Sequence, residues 1–324
     1  MLKVSRILVI IMILCLLLAA CTQNDDFTNK ASDAGEAGKI IVYASFYPMY
    51  DFASKIGGDK ICLTNMVPAG TEPHSWEPTA KDIVALENAD IFIYNGAGME
   101  HWVDKVLASL ENTDLITVEA SEGITLLKGT HHHHDDTAAE AEEIASEGEQ
   151  TQYDPHVWLS PLNAEQELEN IKNAFVKADP DNAAYYKANY AKYASEFELL
   201  DKEYRDTITS LPNKNIVVAH QAFAYLCNEY GLNQVAIEGL SADSEPNPAR
   251  MAEIIEFVKT NKVKYIFFEE LISPKVAETI AQAAGVKTAV LNPLGALSDE
   301  EKAVGGDYLS VMHKNLQALK VALQ

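Results

Sequence analysis

Short runs of β-branched and aromatic residues alternate with helix-length amphipathic stretches in two separate blocks. That alternation constrains the fold more than any other feature of the chain. In the first block, Ile40-Ile41-Val42-Tyr43, residues 61–67, Ile91-Phe92-Ile93-Tyr94 and residues 115–118 read as strands, with helices over 48–57, 79–87 and 100–110. In the second, residues 216–219, 234–237, 265–268 and 288–291 read as strands, with helices over 222–230, 248–260, 274–284 and 306–322. Strands this short and apolar suit burial on both faces, which a parallel sheet covered by helices provides. The expected fold is therefore α/β, with two doubly wound parallel-sheet lobes over 39–180 and 213–324. Such sheets offer ligand-binding residues at the C-terminal ends of their strands.

Between the blocks, Pro180-Asp181 is a good helix start and Leu211-Pro212 a stop. Tyr186, Tyr190, Tyr193, Phe197, Leu200, Tyr204, Ile208 and Leu211 recur at spacings of three and four, which marks one buried stripe. Residues 181–211 are thus expected to form one long helix joining the lobes, about 45 Å at 1.5 Å per residue. Its aromatics read as core.

At the N-terminus, Lys3 and Arg6 precede an unbroken apolar run from Ile7 to Ala20. That run is too short for a hydrocarbon core of ~30 Å, so residues 1–20 read as a signal peptide rather than a membrane span. The run closes on Leu18-Ala19-Ala20-Cys21, which resembles a bacterial lipoprotein processing site and implies lipidation of Cys21. Residues 21–38 are polar and read as a flexible tether. The formal net charge of −23 argues against nucleic-acid phosphates as partners and favours attraction of cations. Cys62 and Cys227 fall in different halves, in apolar contexts, and are expected to be free thiols.

Nine histidines are distributed in a way that packing alone does not explain. His131, His132, His133 and His134 are contiguous, within a His- and acid-rich segment over 128–152. Almost devoid of apolar residues, that segment is expected to be a mobile loop and an auxiliary metal trap. His74 follows Glu72-Pro73 in a loop after the second strand. His156 follows Asp154-Pro155 ahead of a helix starting near Pro161, and His220 ends the Ile216-Val217-Val218-Ala219 run. All three lie at strand-to-helix junctions on one edge of their lobes. Imidazole is the commonest transition-metal ligand, and three delivered from distant loops are what a folded site needs. His101 and His313 read as surface residues.

Several segments together resemble the metal-binding class of ABC-transporter substrate-binding lipoproteins, and within it the zinc branch of ZnuA- and AdcA-like proteins. They are Ala69-Gly70-Thr71-Glu72-Pro73-His74, Tyr94-Asn95-Gly96-Ala97-Gly98-Met99-Glu100 with Trp102, and Asp154-Pro155-His156-Val157-Trp158-Leu159-Ser160-Pro161. To these belong His220-Gln221-Ala222-Phe223, Phe267-Phe268-Glu269-Glu270 and Leu291-Asn292-Pro293-Leu294. The resemblance runs from Ile40 to the C-terminus. It implies two lobes bridged by a rigid helix, with one metal between them held by His74, His156 and His220. At the third ligand the manganese branch carries a carboxylate, so His220 implies zinc, which prefers nitrogen. One position departs from the pattern: relatives carry Glu or Asp after the Asn-Pro-Leu turn, and Gly295 stands here. The fourth ligand is left open among water, Glu72, a loop histidine and Glu270. Glu269 and Glu270 are candidate acceptors for a ligand's free ring N–H.

The function expected is a high-affinity, extracytoplasmic zinc-binding receptor, lipid-anchored to the cell membrane, that delivers Zn2+ to an ABC permease. It would act as a monomer and without chemistry. Two alternatives share the metal site or the location: a zinc-dependent hydrolytic enzyme, since three histidines and a water also suit hydrolysis, and a surface adhesin. Against the enzyme, the chain has no His-Glu-x-x-His and no Gly-x-Ser-x-Gly.

Overall fold

The computed structural model describes residues 38–129, 153–240 and 246–324. The expected signal peptide (1–20), Cys21, the tether up to residue 37 and His131–His134 with their acidic neighbours lie outside the described residues.

The first sheet holds β1 (Ile40–Ala44), β2 (Ile61–Asn65), β3 (Ile91–Tyr94) and β4 (Ile116–Glu119), all parallel in the order β2-β1-β3-β4. The second repeats this with β5 (Asn215–Val218), β6 (Asn233–Ala236), β7 (Tyr265–Phe268) and β8 (Lys287–Val290), in the order β6-β5-β7-β8. Both are therefore doubly wound, and in each the chain leaves the first strand in opposite directions. A crevice results at the C-terminal ends of β1 and β3, and another at those of β5 and β7. β5, β6 and β8 each begin one residue earlier than their apolar runs suggest, and β2 ends two residues earlier, at Asn65.

Helices α1 (Tyr47–Gly57), α2 (Ala80–Leu86) and α3 (Val103–Leu107) belong to the first sheet, and α4 (Pro161–Ala178) returns across it. Their starts follow local chemistry. The Thr79 hydroxyl and Asp82 carboxylate close a capping box on α2, and Ser160 caps α4 with Pro161 at its first turn. The helix expected over 100–110 is shorter because Glu100 is engaged elsewhere. Its buried carboxylate accepts from Ser45 Oγ (2.6 Å) and the backbone N–H groups of Asn95 (2.8 Å) and Gly96 (3.1 Å). It thereby fills the crevice of the first sheet.

The connecting helix α5 runs Ala183–Thr209, 27 residues, preceded by a 3-10 turn over Pro180–Asn182. It is a little shorter than expected, about 40 Å at 1.5 Å per residue. The second half adds α6 (Ala224–Tyr230), α7 (Pro248–Thr260), α8 (Lys275–Ala284), α9 (Asp299–Ala303) and α10 (Tyr308–Leu323). Gly231 and Gly285, both left-handed, end α6 and α8. The helix expected over 306–322 is Tyr308–Leu323, and a short helix not expected from the sequence, Asp299–Ala303, precedes it; Ser298 and Asp307 each close a capping box.

The inner faces of both sheets share one core. Phe52 of α1, Phe197 of α5 and Tyr308 of α10 pack as a three-ring cluster with centroids 5.0–5.7 Å apart. The outer faces keep separate clusters, Phe92 with Leu86, Trp102 and Val106 in one half, Ile266 with Ile254, Val258 and Ile280 in the other. Lys55 of α1 reaches Asp51 (2.9 Å) and, across the halves, Asp307 (2.8 Å). Residues 38–324 form one compact unit, in which the two sheets share a core in addition to the connecting helix.

Candidate metal centre

Three elements bring the lone histidines together. His74 comes from the long turn after β2, His156 from the segment between the Lys128–Tyr153 bridge and α4, and His220 from two residues beyond β5. Among the described residues they form the one group of His, Cys, Asp or Glu side chains whose ligand atoms all lie within 4.8 Å of one another. His74 Nε2 lies 3.0 Å and His220 Nε2 3.3 Å from His156 Nε2. Tetrahedral zinc with Zn–N of 2.0–2.1 Å needs ligand nitrogens about 3.3 Å apart, close to these two separations. His156 and His220 are 1% and 2% exposed, whereas His74 is half-buried.

Each buried ring has its far nitrogen occupied. His156 Nδ1–H donates to Asp154 Oδ1 (2.8 Å), which also accepts the His156 backbone N–H (2.9 Å). His220 Nδ1–H donates to Glu269 Oε1. Both carboxylates fix the tautomer that leaves Nε2 free for a metal, and both raise the basicity of the ring they hold. His220 and Glu269 stand at the ends of β5 and β7, on either side of the second sheet's crevice.

The electrostatics divide the three rings. Burial, with His156 and His220 close by, pushes His74 down to about 2. Burial and His220 hold His156 well below the ordinary histidine value. His220 is itself disfavoured as a cation by burial, but the Glu269 carboxylate outweighs this and raises it above 6.5. Burial lifts the Asp154 carboxyl to about 7 against the pull of the His156 N–H. Of the three rings, His220 is therefore the one that holds a proton most readily. A dication would replace that proton and be offset by carboxylates lying behind the rings, which a buried charge requires.

The other sequence candidates fall differently. Glu72 accepts the backbone N–H of His74 (3.2 Å) and contributes to raising His220, yet it is not one of the converging group. Glu269 takes the acceptor position foreseen for it. Glu270 does not: it is exposed and interacts with Ser298 and Glu301, because successive residues of an extended segment point to opposite sides. It is not one of the converging group. His101 and His313 are exposed, beside Glu77 and Glu203. The Gly295 backbone is not left-handed; that conformation belongs to Leu294, at φ 63°. A Cβ on Gly295 would lie 3.2 Å from Pro73 Cγ, so the Asn292–Gly295 turn covers the residue preceding His74. Asp154 was not singled out in the sequence as an orienting group, although an acid two residues before a candidate ligand was a usable signal.

A family model described as "ZnuA: Zinc-uptake complex component A periplasmic" matches residues 42–322. The zinc-binding lipoprotein AdcA of Streptococcus pneumoniae serotype 4 is 40% identical over 317 residues, 98% of this chain and 60% of that protein. This chain thus spans about three fifths of the length of that relative. The high-affinity zinc uptake system protein ZnuA of Bacillus subtilis strain 168 is 42% identical over 309 residues, 95% of either chain. Among solved structures, the Zn(II)-bound ZnuA-like domain of the S. pneumoniae AdcA is similar with a TM-score of 0.75 at 40% identity, over 88% of this chain and 99% of that one.

Proposed function

The chain belongs to the family of zinc-uptake complex component A, and we propose that it is an extracytoplasmic receptor that binds one Zn2+ and hands it to an ABC importer. The observation that carries this reading is the convergence of three histidines whose ligand atoms lie within 4.8 Å of one another, two of the rings being backed by carboxylates. An all-nitrogen set suits zinc better than the oxygen-preferring manganese. His74, His156 and His220 are the protein ligands, and the fourth position is taken by water, with Glu72 or a loop histidine as its competitors. No chemical step is assigned, since the family is one of transport components.

The remaining parts fit a tethered monomer. Residues 1–20 serve export, Cys21 carries the lipid, and residues up to 38 give reach from the membrane. His131–His134 and the acids after them raise the local zinc concentration. The described ends of that segment support such a role, since the Lys128–Tyr153 bridge places them directly before Asp154 and His156. One experiment tests the reading: protein purified without added metal is analysed for metal content, then titrated with zinc and manganese in competition. One tightly held zinc per chain is expected. Preference for manganese, or no stoichiometric metal, refutes it.

A further inference from the structure

The His156 segment is continuous with the first half of the chain, yet its backbone is gripped by the second. The Tyr225 hydroxyl, on α6, donates to the Asp154 carbonyl (2.8 Å) and accepts the Leu127 N–H (3.0 Å). The Tyr308 hydroxyl, on α10, donates to the Trp158 carbonyl (2.6 Å). Those carbonyls lie two residues before and two residues after His156. Trp158 adds a third tie, its Nε1–H donating to the Pro293 carbonyl (2.8 Å) in the turn that ends at Gly295.

Building on the zinc-site reading above, we infer that Tyr225 and Tyr308 are positioning residues of the metal centre: they hold His156 in register with His220. The two rings are suited to this. Tyr308 is fully buried and stacked on Phe197 at 5.0 Å, and Tyr225 is 4% exposed, so neither hydroxyl can follow a shifting loop. His220 belongs to the second half by its chain, being anchored by Glu269 after β7. With its flanks tied to α6 and α10, His156 becomes part of the same rigid body. The 3.3 Å separation of the two Nε2 atoms is then set within one half of the molecule, and small relative movements of the halves leave it unchanged. The hydrogen bonds in the His74 segment, from Thr71 N–H to the Pro68 carbonyl and from His74 N–H to Glu72, are local to that segment.

Tyr204 supplies a matched control. Its hydroxyl is also fully buried and donates to a backbone carbonyl, that of Met312 (2.6 Å), but it makes no bond to the His156 segment. Tyr225→Phe, Tyr308→Phe and Tyr204→Phe each remove one such bond, and all three should lower the melting temperature of the metal-free protein. Zinc release into excess chelator, followed by stopped flow on the full zinc-loaded chain, should accelerate by about tenfold in the first two, the equivalent of one ordinary hydrogen bond. It should not change in Tyr204→Phe. Cobalt(II) substituted for zinc should show altered d–d absorption in the same two variants only. Release rates and cobalt spectra unchanged in Tyr225→Phe and Tyr308→Phe, with melting lowered as in Tyr204→Phe, overturn the inference and leave these tyrosines as packing residues. Should Tyr308→Phe not fold, Tyr225→Phe decides alone. His156→Ala separates the two levels: loss of tight zinc there, with unaltered tyrosine variants, defeats only the positioning role, whereas retained zinc defeats the site itself.

Discussion

Glu269→Gln isolates the charge behind His220 from the hydrogen bond it makes. Glutamine keeps an oxygen for the Nδ1–H, so the ring should stay in place while the carboxylate's field disappears. In the parent protein that carboxylate is the main cause raising His220 above 6.5, against burial. A protonated ring cannot bind zinc, so affinity falls as pH falls through the His220 value, above the 6.5 of an unperturbed histidine. His74, at about 2, and His156, well depressed, are already neutral there. Neither of these two rings should therefore take up a competing proton, and the loss per pH unit should fall short of the roughly thousandfold that three protonating rings would give. In the glutamine variant the ring loses its proton at lower pH, and it also becomes a weaker donor to the metal. Loss of an orienting carboxylate behind a ligating histidine costs about 10–100-fold in affinity, or about 1.4–2.7 kcal/mol. At pH about 8 the dissociation constant should rise by that factor, and the gap should narrow toward pH about 6 as the parent alone loses affinity to protons. Competition against a chromophoric chelator across this range measures both effects. A slope of three protons in the parent contradicts the neutral state of His74 and His156. A variant with the parent's affinity and the parent's pH profile refutes the role of the Glu269 charge.

The remaining expectations concern single residues and one segment. In a chain lacking 131–134, His74→Ala, His156→Ala or His220→Ala should each weaken zinc by orders of magnitude and leave the apo circular dichroism intact; stoichiometric tight zinc in a double variant by calorimetry contradicts the ligand set. Deleting 131–149 should remove weak metal equivalents, keep one tight site and slow capture from dilute zinc; loss of the tight site would make the segment a ligand donor. Gly295→Glu should slow zinc dissociation by supplying a tied fourth ligand. The glycine is not left-handed and a Cβ need displace Pro73 by only a few tenths of an ångström, so the apo melt should hardly move. An unchanged off-rate would place residue 295 away from the metal.

Local chemistry was legible in the sequence wherever period and punctuation coincide. Strands with alternating helices follow from residues within a few positions of one another, and helices do start near the expected residues 79, 161 and 248. The three histidines were legible for the same reason, since each stands at a strand-to-helix junction. What could not be read depends on partners far away in the chain. The cluster of Phe52, Phe197 and Tyr308 joins three segments, and so fuses the halves that two similar blocks suggest are separate. Glu269 and Glu270 are chemically equivalent in sequence, and only the direction in which β7 ends decides which one meets His220. The shortening of the helix expected from residue 100 is likewise a tertiary effect, because Glu100 spends its carboxylate on Ser45, Asn95 and Gly96.

The two sheets share a topology but not a use for it. In the first, the crevice between β1 and β3 is closed by the Glu100 carboxylate, whose acceptor capacity is taken up by the Ser45 hydroxyl and two backbone N–H groups. In the second, the crevice between β5 and β7 receives an imidazole and a carboxylate bonded to each other, which leaves Nε2 pointing outward. A half-site is thus built into one sheet, and the other half of the chain completes it through loops. His156 arrives fully buried with its own carboxylate, whereas His74 arrives half-buried on the turn beneath Gly295. The dry pair supplies most of the electrostatic preorganisation, since its ring partners and their carboxylates are desolvated together.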